Sequence, residues 1–254
     1  MKKLIVVGVN HSGTAVVNTV LDNSKEWDVT IYESNSNCSF LGCGIALWMG
    51  NKIDDPSQLF YSSPEALEEK GAKVLMEHQV LNVDFASKKV LIKNLKTGKE
   101  FEDKYDKIVI STGSKPIDIK FDGIALSTYD NVMGIKLYQD ALHLFKKLKD
   151  SSIKHISIIG AGYIGVELAE AAKIHGKEVT LIDQAKELLA NHYDPEFSSE
   201  ISKVMEKAGV KMALNQKVEG VNVTDNVVTS IKTDKGIIKT DLVIVSVGVI
   251  MNTK

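Results

Sequence analysis

The chain has 254 residues, a formal net charge of −2, 44% hydrophobic and 25% charged residues, which is a globular composition with material for one large domain or two ordinary ones. Its strong bases are all lysines, and the lack of arginine argues against nucleic acid as main ligand and against any site needing a planar bidentate cation. No apolar run reaches the length of a membrane span, and two cysteines make no disulfide framework, so a reducing, cytoplasmic setting without membrane contact is expected.

In chain order, MKKLIVVGVNHSG carries two lysines and an apolar run from Leu4 to Val9. That run is too short for a secretory signal and reads as a buried strand. A turn from Gly8 to Gly13 follows, then a helix over roughly 13–22 and a strand, VTIYE, ending at Glu33. Both cysteines lie in the next stretch, SNSNCSFLGCGIALWMG. Beyond it the pattern predicts a short helix at 64–70 and strands near 79–84, 88–94 and 100–104. DKIVISTG is a buried strand arriving at Thr112-Gly113, and Gly113-Ser114-Lys115-Pro116 breaks it. A helical stretch at 136–149 leads into a second half that repeats the plan of the first. ISIIG is a strand, AGYIGVELAEAAKIHG a helix closed by Gly176, EVTLID a strand ending at Asp183, and DLVIVSVG a strand arriving at Gly248. Strands alternating with helices predict an α/β fold with parallel sheets, in two tandem Rossmann-like (doubly wound) halves. The boundaries read as 1–115, a connecting segment 116–150, a second domain 151–248, and a short tail 249–254.

Two turns carry the chemistry. Gly160-Ala161-Gly162-Tyr163-Ile164-Gly165 is a full G-x-G-x-x-G between strand and helix. Its first glycine allows the tight turn, its second lets a pyrophosphate approach, and its third permits close helix–strand packing. Asp183, 18 residues past Gly165, is placed for a ribose 2′-hydroxyl and would repel a 2′-phosphate, favouring NADH over NADPH. The bland alternative is a tight turn without ligand. The first turn, Gly8-Val9-Asn10-His11-Ser12-Gly13, departs from the pattern because Asn10 replaces the central glycine, yet Glu33 stands 20 residues after Gly13. A nucleotide site with altered phosphate contacts is expected there, again against a bare turn.

Tandem dinucleotide folds, VNHSGT near the start, SFLGCGIALWMG, the strand ending in Thr112-Gly113, and GAGYIGVE at 160–167 together resemble the NADH oxidase and NADH peroxidase group of the FAD-containing pyridine nucleotide–disulfide oxidoreductases. The resemblance implies FAD on the first domain and NADH on the second, with the second domain inserted into the first. It also implies a later Gly-Asp segment that completes the flavin site, and a dimerisation domain, both beyond the last residue here. A homodimer is what it implies for the full-length enzyme.

The cysteines carry competing signals. Cys38 and Cys43 have the C-x4-C spacing of a redox disulfide, while Ser39-Phe40-x-x-Cys43-Gly44 resembles the single-cysteine pattern of the oxidases and peroxidases. In that group a histidine stands in the first nucleotide turn, which is where His11 lies, so the resemblance favours Cys43 as the working thiol with His11 as its acid–base partner and Cys38 as a bystander. Cys43 is expected to open a helix made from IALWMG, whose dipole, with His11, would favour the thiolate. The implied activity is reduction of dioxygen to water by NADH through flavin, with Cys43 passing through a sulfenic acid.

Carried over residue by residue, the resemblance gives Gly8, Asn10, His11, Ser12, Gly13 and Glu33 to the FAD pyrophosphate and ribose. It gives Cys43 to the flavin side, and Val80, Thr112, Gly113 and Lys136 to the rest of the retained FAD site. Gly160, Gly162, Tyr163, Ile164, Gly165 and Asp183 would take NADH, with Gly248 near the nicotinamide. Tyr163 is either a packing aromatic or a gate, and Glu167 either a nicotinamide-side contact or a solvated carboxylate. NADH peroxidase, which takes hydrogen peroxide, coenzyme A-disulfide reductase, and a non-catalytic dinucleotide-binding fragment are the alternative readings.

Overall fold

Runs of β-branched, aliphatic and aromatic residues, such as LIVV and VTIY, suit strands buried on both faces, which is what a parallel sheet covered on two sides requires. The computed structural model describes residues 1–253. Its helices are α1 (His11–Asn23), α2 (Ile45–Met49), α3 (Pro64–Glu69), α4 (Tyr138–Lys149), α5 (Tyr163–Ile174) and α6 (Pro195–Lys207). The chain divides into two units, one of Met1–Leu41, Pro56–Ser114 and the residues from Met251, the other of Gly42–Asp55 and Lys115–Ile250.

In the first unit the strands are β1 (Lys2–Val7), β2 (Trp27–Glu33), β3 (Lys73–Met76), β4 (His78–Asp84), β5 (Lys89–Asn94), β6 (Glu100–Lys104) and β7 (Lys107–Ile110). A four-stranded sheet runs in the order β3-β2-β1-β7 with all pairs parallel, Val7 opposite Tyr32 on one side and Ile110 on the other. The two-residue period of β1 sorts its side chains onto two faces. Leu4 and Val6 join Val17 and Leu21 of α1, and Ile5 and Val7 join Tyr32, Val90 and Ile92. Burying each such side chain contributes roughly 1.5–3 kcal/mol. The antiparallel sheet β4-β5-β6 covers the second face, and Val80 on β4 packs into that cluster opposite Ile92. Asp103 staples it, accepting from Lys3 Nζ and from Tyr32 Oη at 2.7 Å each. Helix α1 begins at His11, two residues before the expected start, because the Asn10 carbonyl already accepts from Thr14 N at 2.9 Å.

The second unit repeats the pattern. Its parallel sheet runs Val132–Gly134, Leu242–Val245, His155–Ile159, Glu178–Ile182, Val210–Ala213 in spatial order. The segment 116–150 thus supplies an edge strand and α4 to this unit. Helix α5 packs against the sheet and buries Gly165, Leu168, Ala169, Ala171 and Ala172, mostly small residues that allow close approach. Helices α2 and α4 meet where the Trp48 ring stacks on Phe145 at 5.1 Å, and His175 Nε2 lies 2.7 Å from Met49 O. Gly176, with φ +72°, follows the end of α5 as expected, its amide donating to Lys173 O. An antiparallel sheet of Val218–Thr224, Val227–Thr233 and Gly236–Lys239 completes the unit. Among the described residues, no helix is long and apolar enough to cross a membrane.

Candidate functional site

The turn of the second unit is held by contacts that leave no room for a side chain at two of its glycines. Gly160 has φ +109°, and a Cβ there would stand 2.5 Å from Ser246 O; a Cβ at Gly165 would stand 1.9 Å from Gly160 O. These glycines are demanded by the protein itself. Gly162 is different. Its φ of −78° is open to any residue and a Cβ there would meet nothing within 4 Å. Nothing in the fold asks for glycine at this position, whereas a pyrophosphate lying against the backbone does. Helix α5 starts here without a side-chain cap, so its first amides, of Tyr163, Ile164 and Gly165, have no partner within the helix and face the turn.

A cleft of about 720 Å³ opens over this turn, lined among others by Gly160, Gly162, Asp183, His192, Lys217 and Gly248. That volume lies within the range of about 300–1,000 Å³ for small-ligand sites. Asp183 sits at its edge, one carboxylate oxygen accepting from Ala161 N at 2.6 Å and the other from Ala185 N at 2.8 Å. The carboxylate is therefore fixed in orientation, with lone pairs left for further donors. Tyr163 is exposed, with its ring 4.5 Å from His192 and 6.0 Å from Tyr193. Burial, and then the charge of Glu170, push the Glu167 carboxyl above its ordinary value. Gly248, with φ +115°, lies three residues beyond the strand Leu242–Val245 rather than at its end.

The first unit builds the same turn. Gly8 has φ +87° and a Cβ there would stand 2.4 Å from Ser111 O; a Cβ at Gly13 would stand 2.0 Å from Gly8 O. Glu33 repeats the role of Asp183, accepting from Val9 N and from Asn35 N at 2.8 Å each. Asn10 holds the place of Gly162 with φ −95°, and Asn10, His11 and Ser12 are all exposed. At the end of the neighbouring strand, Thr112 Oγ1 donates to Asn252 O at 2.7 Å, and the Asn252 amide donates to Gly113 O at 3.0 Å. The two turns thus meet the requirements of a dinucleotide: a cramped backbone, helix-start amides and an oriented carboxylate. Serine at the strand ends, Ser111 and Ser246, completes the repeat; the Ser246 hydroxyl lies 2.9 Å from Gly160 O. The paired ISTG and VSVG were the available signal for it.

The two cysteines differ sharply. Cys38 is buried in the core of the first unit, and burial pushes its thiol up. Cys43 is exposed and belongs to the second unit. It lies in a single 3-10 turn, Gly42–Gly44, and the helix that follows, Ile45–Met49, has five residues. Cys43 thus stands just ahead of the helix made from IALWM, as expected, but that helix, bounded by Gly44 and Gly50, is too short to carry the appreciable dipole expected of it. In the same unit, Gly42 packs beside the Lys136 carbonyl, its Cβ position 3.4 Å away, and the Lys136 amide donates to Asp140 at 2.9 Å. His11, first residue of α1, has Nδ1 3.1 Å from Tyr61 Oη, a partner 50 residues away that no local pattern announced. His192 and Lys217 were missed for the same reason.

The chain is similar to known proteins over its whole length. The NADH oxidase of Mycoplasma genitalium is 42% identical over the whole of this chain, which covers 56% of that protein. The NADH oxidase of Streptococcus pneumoniae is also 42% identical over the whole chain, which covers 57% of it. Among solved structures, a water-forming NADH oxidase from Lactobacillus brevis bound to NADH superposes with a TM-score of 0.93 at 40% identity, covering 100% of this chain and 55% of its own. The chain spans little more than half the length of these relatives. Matched over residues 2–254, it belongs to the pyridine nucleotide-disulphide oxidoreductase family.

Proposed function

We propose that these residues form the FAD- and NADH-binding part of an oxidase that uses NADH to reduce dioxygen to water. The observation that carries the reading is Gly162, a glycine that the fold does not require, over a cleft with an oriented carboxylate. Gly160, Gly162, Tyr163, Ile164, Gly165 and Asp183 hold NADH, the amides on its pyrophosphate and Asp183 on a ribose hydroxyl, with Gly248 on the nicotinamide side and Tyr163 as a gate. Gly8, Asn10, His11, Ser12, Gly13 and Glu33 hold the pyrophosphate and ribose of FAD, and Val80, Thr112, Gly113 and Lys136 hold the remainder. FAD bound there supplies the two-electron carrier between NADH and oxygen.

Cys43, exposed and free, is the redox thiol. The hydride of one NADH and a proton would convert dioxygen to hydrogen peroxide; the thiolate attacks that peroxide, a sulfur–oxygen bond forms as the oxygen–oxygen bond breaks, and the departing hydroxide takes a proton to leave as water. Sulfur is oxidised by two electrons to the sulfenic acid. A further NADH supplies the two electrons and the hydrogen that return it to thiolate, releasing a second water. His11 supplies and accepts the protons of this cycle. The burial of Cys38 supports a bystander role for it.

The test is stoichiometric. In a full-length context, Cys43→Ser should change consumption from two NADH per dioxygen to one, with peroxide accumulating in an oxygen-electrode and peroxide assay. Water production at the parent's stoichiometry would remove Cys43 from the role. Peroxide consumption in place of dioxygen by the parent would make the enzyme a peroxidase.

A further inference from the structure

The residues between the first turn and Tyr61 form a mount that the reaction as described does not use. Ser39 is fully buried with φ +55°, a backbone state uncommon for a residue other than glycine. Three contacts hold it there. Its amide donates to Val9 O at 3.0 Å, its hydroxyl lies 2.9 Å from Thr14 Oγ1, and its carbonyl accepts from Tyr61 N at 3.3 Å. Next to it, Leu41 N donates to Leu59 O at 2.7 Å and the Phe40 and Phe60 rings meet at 5.3 Å. Residues 39–41 and 59–61 are thereby tied as a short antiparallel pair anchored on the turn. A strained, buried backbone kept in place by its surroundings points to a function.

What the mount delivers is the Tyr61 side chain on His11. The hydroxyl lies 3.1 Å from Nδ1, and the two ring planes are within 5° of parallel with centroids 5.6 Å apart. The geometry admits this hydrogen bond in either sense; a phenol is a better donor than acceptor, which favours donation to the Nδ1 lone pair. We propose that Tyr61 is a positioning residue that donates to His11 Nδ1, fixes the imidazole as the Nε2–H tautomer, and leaves Nε2–H as the atom presented to the reacting molecule. The hydrogen bond at one ring nitrogen sets the state of the other. The inference rests on His11 as the acid–base group, and it adds which nitrogen works and which side chain decides it.

The test reads the tautomer directly. In long-range proton–nitrogen spectra of the chain labelled at histidine, with His11 assigned by its loss in His11→Gln, the neutral ring should show a protonated Nε2 and a bare Nδ1, widely separated in nitrogen shift. Tyr61→Phe keeps the ring and the 39–41 and 59–61 pairing but removes the donor, and the separation should shrink as the two tautomers mix. A thermal melt of the variant checks that the fold is retained. A protonated Nδ1 in the parent, or unchanged shifts in a folded Tyr61→Phe, would overturn the proposal; the parent spectrum alone suffices if the variant does not fold. Failure of the acid–base reading is separate, because it would appear as full turnover by His11→Gln whatever the tautomer.

Discussion

Alanine at Gly165 and at Gly162, introduced one at a time, separates what the second turn does for the fold from what it does for a ligand. At Gly165 the new Cβ would stand 1.9 Å from Gly160 O and 2.9 Å from Ser246 Oγ, where ordinary contact begins at 3.4 Å. Neither atom can yield easily, because Gly160 N is bonded to Ile182 O and the Ser246 hydroxyl to the turn. Helix α5 must therefore back away from the sheet it packs against. Overpacking of this kind costs about 1–3 kcal/mol, and a backbone clash belongs at the upper end. About 3 kcal/mol in a unit of this size lowers Tm by roughly 6–12 °C. At Gly162 the methyl meets only open space. Stiffening of the unfolded chain favours alanine by about 0.4–1 kcal/mol, its poorer capping opposes this, and the net change should be close to zero. NADH binding should nonetheless weaken by roughly tenfold to a hundredfold, about 1.4–2.8 kcal/mol, since the methyl occupies the space the pyrophosphate needs. Thermal unfolding by circular dichroism and titration calorimetry with NADH read the two effects. A Gly162→Ala protein that binds NADH like its parent would refute the ligand argument, and a Gly165→Ala protein that melts with its parent would refute the packing argument.

Asp183→Asn keeps an acceptor for one of the two amides that the carboxylate holds while removing the charge that opposes a 2′-phosphate, so the preference for NADH over NADPH should fall by roughly tenfold, about 1.4 kcal/mol. An unchanged ratio of calorimetric Kd values would place ribose recognition elsewhere. Acid should weaken the first unit through Asp103: burial works against its ionisation, but the hydrogen bonds from Lys3 and Tyr32 outweigh this and hold its carboxyl below the usual range. Its contribution is complete above about pH 4, near the unfolded value, and is lost as pH falls through the folded one. Urea midpoints followed down through this window should drop less steeply in Asp103→Asn than in the parent, and parallel curves would show that the staple is not titrating.

What the sequence made legible is what local pattern controls. LIVVG and ISIIG announce strands arriving at a turn, the glycine spacing of 160–165 announces a cramped strand–helix junction, and Glu33 and Asp183 follow at matching distances. Each of these rests on residues close in the chain, and each stands in the structure where the spacing put it. The carboxylates also showed a part the pattern hides, because the amides they hold, of Val9 and Ala161, lie across the turn and are seen only once β1 and β2, or their counterparts, are paired. The edge strand Val132–Gly134 is not legible in the connecting segment because three residues carry no period of their own; its partner, Leu242–Val245, lies over a hundred residues away. The apolar run IALWM does form a helix after Cys43, yet bounded by Gly44 and Gly50 it closes barely one turn. His11 shows the limit most clearly. Its place in the first turn is written beside it, but the hydroxyl at its Nδ1 is delivered from position 61 by a backbone held at Ser39. Spacing can therefore place a histidine in the turn, while the side chain that meets its ring is found only through the tertiary contacts that seat it.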